Sequence, residues 1–381
     1  MTTYLAVGSP SGSRSRSGSH SGSRSNSRSR SRSRSVSAEV RTDILQNLRV
    51  VEQSSPDPFE ISLIRPQSRY FRIIAFAMHF GISMLESPDG RNAVVETGRD
   101  LWRFWGRRDK RNFVYQGGSE GMRDAVDDFL ARVRSNPPNV IVSNRVEGEG
   151  MTKRVAWADF LDSKFDAKWA ALFRLNKTVI DDALIAADDG DVEEFQHFLF
   201  LLGITAAHEL IHLFVGYLTG RHEPDTPAEV QYPPRSVTTG KVLTGGESGN
   251  TWEGRLMDCV IVAYYNPGHP RRRHQAGDLY AMQNRQTPHR LEPEFIRACL
   301  QLDFRLPPRL LSRYEGKSVR LVNGACPMVD VRPFGNFQDL AGDLTEFFKV
   351  VNNLPIERIG SRELNHIMSM CRRPERVRQN A

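Results

Sequence analysis

The stretch that most constrains the fold is Phe195 to Gly220, FQHFLFLLGITAAHELIHLFVGYLTG, an almost wholly apolar run interrupted by His208, Glu209 and His212. Asp191 followed by Glu194 has the form of a capping box before it, and Gly220 stands where a left-handed C-cap is expected, so the run reads as one long helix. Apolar residues fall on every side of it, which predicts burial rather than a half-exposed amphipathic rod. The run is long enough to cross a membrane. Two histidines, a glutamate and an acidic approach without basic anchors argue instead for a core helix, with no membrane partner.

A buried helix cannot leave ionisable groups without partners. In a helix, positions four apart lie on one face, so His208 and His212 can address one ion while Glu209, about 100° round, reaches toward a water beside it. One metal ion satisfies both imidazoles and orients the carboxylate at once. The spacing therefore predicts a metal site, with one Zn2+ ion as the expected cofactor.

A catalytic zinc site takes three protein ligands, so two histidines need one more. Val215 and Leu218 occupy the positions where a metzincin would carry Gly and His, which excludes that pattern. His222, just past the helix end, has a spacing that matches no HExxH pattern. Downstream lies GGESGNTWEGRLMD, Gly245 to Asp258, in which Glu247 and Glu253 leave room for a loop and a second helix. HExxH followed by Glu247-Ser-Gly-Asn-Thr-Trp-Glu253 resembles the gluzincin branch of zinc metallopeptidases, thermolysin-like in layout, over residues 195–258. The resemblance implies a zincin-like domain with a second ligand-bearing helix. It also implies His208, His212 and Glu247 as ligands, Glu253 as an orienting or alternative third ligand, Glu209 as general base, and a peptide or protein substrate. In zincins a strand runs beside the active-site helix, and Thr178 to Ile180 is the local candidate. The loop between motif and ligand, Val230 to Gly246, is rich in Pro and Gly and should lie over the cleft.

Composition narrows the alternatives. Residues 1–37 hold seven arginines and no acid. Taking seven from the 52 basic residues of the chain leaves 45, equal to its 45 acids, so the net charge of +7 belongs to the tail alone. The basic balance is thus no argument that the folded part binds nucleic acid. Ser9 to Ser37 has almost nothing to bury and reads as disordered; its SRSRSRSRSVS end resembles the RS segments of nuclear RNA-processing proteins, which implies serine phosphorylation and contacts with RNA or protein. Four scattered cysteines without a CxxC, and no apolar leader, lead us to expect an intracellular protein of cytoplasm or nucleus.

The expected organisation is a disordered tail (1–38), an N-terminal α+β region packed on the core (39–145), a metal-site domain (146–370) and a frayed end (371–381), in a helix-rich α+β fold. Glu39 to Gln53 reads as a short helix, Tyr70 to Phe80 and Met122 to Val133 as helices, Leu85 to Tyr115 as hairpins or irregular β structure around SPDG and GRRDKRN, Pro138 to Val142 as a strand, and Trp157 to Phe173 as a core-facing helix. Trp102 and Trp105 among arginines read as packing rather than a base-stacking platform. Asp181, Asp182, Asp188 and Asp189 read as solvated loop acids, and Tyr264, Tyr265 and His269 as structural residues, with only nearness in sequence to suggest aid to an oxyanion. The function expected is a zinc-dependent hydrolase, with a catalytically inactive metal-binding scaffold recruited through the tail as the alternative.

Overall fold

The computed structural model describes residues 46–54, 60–105, 110–146, 148–159, 164–221, 224–232, 246–264, 266, 268–271, 274–283, 287–304 and 344–356. The tail, His222, Gly245, Tyr265 and the loop from 233 lie outside them. The fold is α+β and helix-rich. Strands β1 (Val50–Gln53) and β2 (Ile61–Leu63) precede helices α1 (Arg69–Glu86), α2 (Pro88–Phe104) and α3 (Met122–Ser135). Strands β3 (Val140–Ser143) and β4 (Gly150–Arg154), the one-turn α4 (Ala167–Ala170) and β5 (Ala171–Asn176) follow. Then come α5 (Lys177–Asp188), α6 (Val192–Thr219), α7 (Ser248–Met257), β6 (Val260–Tyr264), β7 (Asp278–Gln283), β8 (Thr287–Arg290), α8 (Pro293–Leu300) and α9 (Leu344–Asn353).

Five strands form a mixed sheet in the order β2-β1-β3-β5-β4, parallel in the middle and antiparallel at both edges. Its central strands are buried on both faces, as their continuous apolar runs require. Val50, Val140, Val142, Phe173 and Leu175 face the main helical core, whereas Val51, Ile141 and Leu172 face a smaller cluster closed by Phe347, Phe348 and Val351 of α9. A separate antiparallel sheet runs β6-β7-β8.

Helix α6, 28 residues long, is the centre around which α1, α5, α7, α8 and β4 pack. The Asp191 side chain accepts from the Glu194 N–H at 3.1 Å, and Gly220 adopts φ 72° at the C-cap. The reciprocal arm of the capping box is absent, because the Glu194 carboxylate accepts from the Ala276 N–H instead. Helix α1 lies close along α6 because both carry glycine at the contact. A methyl group on Gly81 would sit 2.8 Å from the Ala207 backbone nitrogen, beside His208, and one on Gly203 would run into the Phe80 ring.

Several sequence expectations need correction. SPDG is no hairpin turn: Ser87 caps α2, its Oγ accepting from the Gly90 N–H at 3.0 Å, with Pro88 in the first turn where its missing N–H costs nothing. The helical spacing of Trp157 to Phe173 breaks into a 3-10 turn (Trp157–Asp159), α4 and strand β5. Thr178 to Ile180 opens α5, capped by Asn176, and the strand beside α6 is β4. Val50 to Gln53 is a strand rather than the end of a helix. Asp181, Asp182 and Asp188 are helical, and Asp182 is buried against His274 at 2.7 Å. Trp102 and Trp105, by contrast, pack as expected, edge-on against Phe113.

Two predictions follow from this packing. Gly81→Val should destabilise the fold by about 1–3 kcal/mol, because the atom it strikes is backbone and cannot swing away; denaturant titration reads this directly. The second concerns His79, buried in α1 with Arg134 Nη1 3.4 Å from its Nδ1. Burial, aided by that guanidinium, lowers its pKa to about 4. The unfolded chain therefore takes up a proton near pH 6.5 that the folded one refuses until about pH 4. Stability attributable to His79 is intact above the unfolded value and falls between the two, by about 3 kcal/mol in total. His79→Leu should flatten that part of the stability profile when unfolding is measured at pH 7 and pH 5.

Candidate metal centre

The second half of α6 presents His208 and His212 on one face, with ring centroids 5.2 Å apart. The third group comes from the start of α7. Glu247 is the N-cap of that helix, its Oε2 accepting from the Asn250 N–H at 2.6 Å, and its own N–H donates to the Val230 carbonyl at 2.8 Å. A carboxylate at a helix N-terminus is favoured by the free N–H groups and the dipole there. That capping fixes where its two oxygens point: Oε1 lies 2.6 Å from His212 Nε2 and Oε2 3.3 Å from His208 Nε2. One donor atom from each of the three residues falls within 4.8 Å of the others, and they are the one such metal-capable group among the described residues.

The opposite ring nitrogens are also held. Glu253, one and a half turns into α7 and almost fully buried, accepts at 2.7 Å from His208 Nδ1 with Oε1, while its Oε2 accepts from the Ile261 N–H at 2.9 Å. Ser248 Oγ stands 3.2 Å from His212 Nδ1. Glu253 thus addresses the side of His208 turned away from Glu247, the geometry of an orienting partner rather than of a third donor to the same centre. Partners of this kind fix ring orientation and leave Nε2 free to bind a metal.

Electrostatics agree with geometry. Burial works against charge on His208, but Glu247 and Glu253 outweigh it and hold the imidazole's pKa well above its ordinary value. Burial would raise the Glu247 pKa, yet the two imidazoles hold it well below the usual carboxylate range. In the metal-free chain, a proton held on the His208 ring answers the charge of Glu247 and Glu253. A divalent cation would take its place among the Nε2 and Oε atoms that face one another.

The surroundings are cut to fit such a group. A Cβ on Gly249 would overlap the His208 ring, and one on Gly246 would collide with the Pro227 carbonyl. Gly249 is therefore demanded by close approach to the site, and Gly246 by close approach of the Pro227–Val230 backbone on which Glu247 is anchored. Two imidazoles and one carboxylate make a donor set that suits a divalent cation. Side-chain exposures of 20%, 23% and 31% for His208, His212 and Glu247 leave the centre open to a small molecule.

Glu209 is buried on the same turn. Its carbonyl accepts from Thr152 Oγ1 of β4 at 3.1 Å, and the backbone of Gly150 lies against its side chain, where a Cβ would be 3.3 Å from Glu209 Cγ. Sequence reasoning missed this strand, Ser248 and Glu149, which sits between Gly148 and Gly150. The glycines flanking Glu149 were the available signal. His269 lies elsewhere, 3.5 Å from Glu194 near the start of α6, about 21 Å along the helix from His208. Tyr264 packs edge-on against Tyr280.

In comparisons with protein-family models, with curated proteins and with solved structures, nothing matches the chain. The site is therefore defined by its own geometry. Glu253→Ala should weaken affinity for a divalent cation about 10–100-fold while the fold persists, as read by competition with a chromophoric chelator.

Proposed function

We propose that this protein is a zinc-dependent hydrolase, and specifically a metallopeptidase, in which His208, His212 and Glu247 hold the ion and Glu209 is the general base. The observation that carries the reading is the meeting of both Nε2 atoms with the two oxygens of one capping carboxylate, one residue from a buried acid. Support also comes from layout. An antiparallel edge strand beside the HExxH helix, and a following helix that brings the glutamate, are similar to the gluzincin arrangement. When bound, zinc supplies a Lewis acid and draws the pKa of a coordinated water toward neutrality.

The chain's own residues account for the proton traffic. The Glu209 backbone is tied to Thr152 and Gly150 lies against its Cγ, while its carboxylate makes no ion pair with lysine or arginine among the described residues. It takes a proton from the attacking water as the oxygen adds to the scissile carbonyl carbon. The same proton passes to the leaving nitrogen as the carbon–nitrogen bond breaks, and the water's second proton follows to the amine, so that a carboxylate and an ammonium leave. Glu253 and Ser248 act through the histidines as positioning residues. In this reading the Ser-Arg tail contacts RNA or protein and sets location, in cytoplasm or nucleus, without entering the chemistry.

The full chain purified without chelator should carry about one zinc per molecule, and His208→Ala should lose it. Glu209→Gln should keep the metal yet lose about 10²–10⁴-fold in hydrolysis of a peptide library. Zinc content near zero would sink the proposal. Full metal content with Glu209→Gln indistinguishable from the parent in every assay would instead mark a metal-binding scaffold.

A further inference from the structure

The corner where α2 ends carries a charged and apolar surface that the metal centre does not use. Its base is packing. Trp105 meets Phe113 edge-on with ring centroids 4.6 Å apart and Trp102 meets Tyr115 at 5.4 Å, while the Tyr115 N–H donates to the Leu218 carbonyl at 3.1 Å and so seats the corner on the end of α6. Outside that base stand Arg103, Lys110, Arg111 and Arg221, the last directly after Gly220, where a Cβ would run into Val114. Lys110 lays its ammonium 4.9 Å from the Trp102 ring centroid, and Arg103 its guanidinium 5.4 Å from that of Phe104. None of the four cations makes an ion pair among the described residues.

Two observations set this corner apart from an ordinary solvated end. The first is charge. The closing carbonyls of a helix favour a cation, which accounts for Arg103 on α2 and Arg221 beyond α6 but not for Lys110 and Arg111. Acids do not answer them: Asp100 is paired with Arg255, Glu96 with Arg99 and Asp225 with Arg154, which leaves Glu120 and Asp124 beside the start of α3. In the chain, Arg107 and Arg108 also fall between Arg103 and Lys110, against a single acid, Asp109. The second observation is apolar. Phe104 is 38% exposed and Val114 44%, two of the five large hydrophobics left in water among the described residues. The tryptophans are spent on packing, so the aromatic ring presented among the cations is that of Phe104.

The chemistry of the partner follows from the two together. Cations without acid partners attract a polyanion, and release of its counterions supplies affinity at low salt. An acidic peptide would use the charges and leave the ring in water. A nucleic-acid duplex would bring phosphates, but its bases are already stacked on one another. An unpaired base covers an exposed aromatic face while its phosphates meet the flanking cations.

We propose that the α2 corner is a binding surface for single-stranded nucleic acid, with Phe104 as the stacking ring and Arg103, Lys110 and Arg111 as phosphate contacts. The surface is separate from the metal centre: Gly220, which Val114 covers, lies about 12 Å along α6 from His212.

The test is fluorescence anisotropy of a labelled oligouridylate of about twelve nucleotides, titrated with the full chain and with full-chain variants that all keep the arginine-rich tail. Phe104→Leu, which keeps an apolar side chain without a ring, should weaken binding about tenfold at an unchanged salt slope, and Phe104→Tyr should bind as the parent does. Arg103→Gln combined with Arg111→Gln should weaken binding and lower the slope of log affinity against log salt by about 1.4. Melting temperatures should stay those of the parent, because these side chains are exposed. A polyglutamate of matching charge should not distinguish Phe104→Leu from the parent. Affinity for the oligonucleotide that is unchanged in every variant assigns the binding to the tail and overturns the proposal. Loss in the arginine variant with Phe104→Leu equal to the parent also overturns it, since that marks a surface for any polyanion, as does a parent chain that does not bind the oligonucleotide.

Discussion

The structure depends on the need of two imidazoles, set into the apolar interior of one helix, for partners that the helix itself cannot supply. Helix α6 buries most of its surface against α1, α5, α7, α8 and β4. His208 and His212 emerge on the side left to α7. Everything α7 does at its start answers that demand. Glu247 meets the two Nε2 atoms, Ser248 meets one Nδ1, Gly249 makes room, and Glu253 takes the remaining Nδ1 one and a half turns later. Ten residues of helix thus carry the polar half of the site, and the apolar half belongs to α6.

That division explains why the centre is rigid. Glu247 is held by capping its own helix and by the Val230 carbonyl, and Glu253 by the Ile261 backbone at the start of β6. Each carboxylate is fixed by main-chain groups as well as by a histidine. Its direction is therefore set before any ion arrives, and the reorganisation cost of binding is small. On the other side, the glycine contacts of α1 hold the turn before His208, so the helix cannot slide along its axis without closing Gly81 onto Ala207. The position of the candidate metal-site face is a consequence of packing far more than of local propensity.

How much of this was legible depends on whether a residue's signal was local. The long helix, its Asp191 and Gly220 caps, the HExxH face and Glu247 were all readable, because each rests on spacing within one element or on chemistry that demands a partner. Helix α2 was misread because Ser-Pro-Asp-Gly serves turns and helix starts alike, and only the Ser87 cap on Gly90 distinguishes them. Strand β5 was hidden because Trp169, Leu172 and Phe173 keep a helical spacing across the junction of α4 and the sheet. The β-branched start of α5 outweighed the Asn176 cap and the alanines at 183 and 186 that favour helix. The strand at the site was invisible for a different reason: GMTKR is polar and short, as an edge strand is, and nothing in its own pattern points to α6.

The short edge strand also explains how the site tolerates its acids. β4 approaches α6 through Gly150, with no side chain between sheet and helix at that point, and Thr152 then bonds the Glu209 carbonyl. A larger residue at 150 would move the strand outward and admit water around Glu209, weakening every electrostatic interaction in the cleft. The same close approach brings Glu149 into the field of His208, Glu209 and Glu253 and withholds a basic partner from it. The imidazole of His208, held charged by Glu247 and Glu253, answers part of the negative charge gathered on this face, so the acids are borne by the histidine while the glycine at 150 lets the strand come this close.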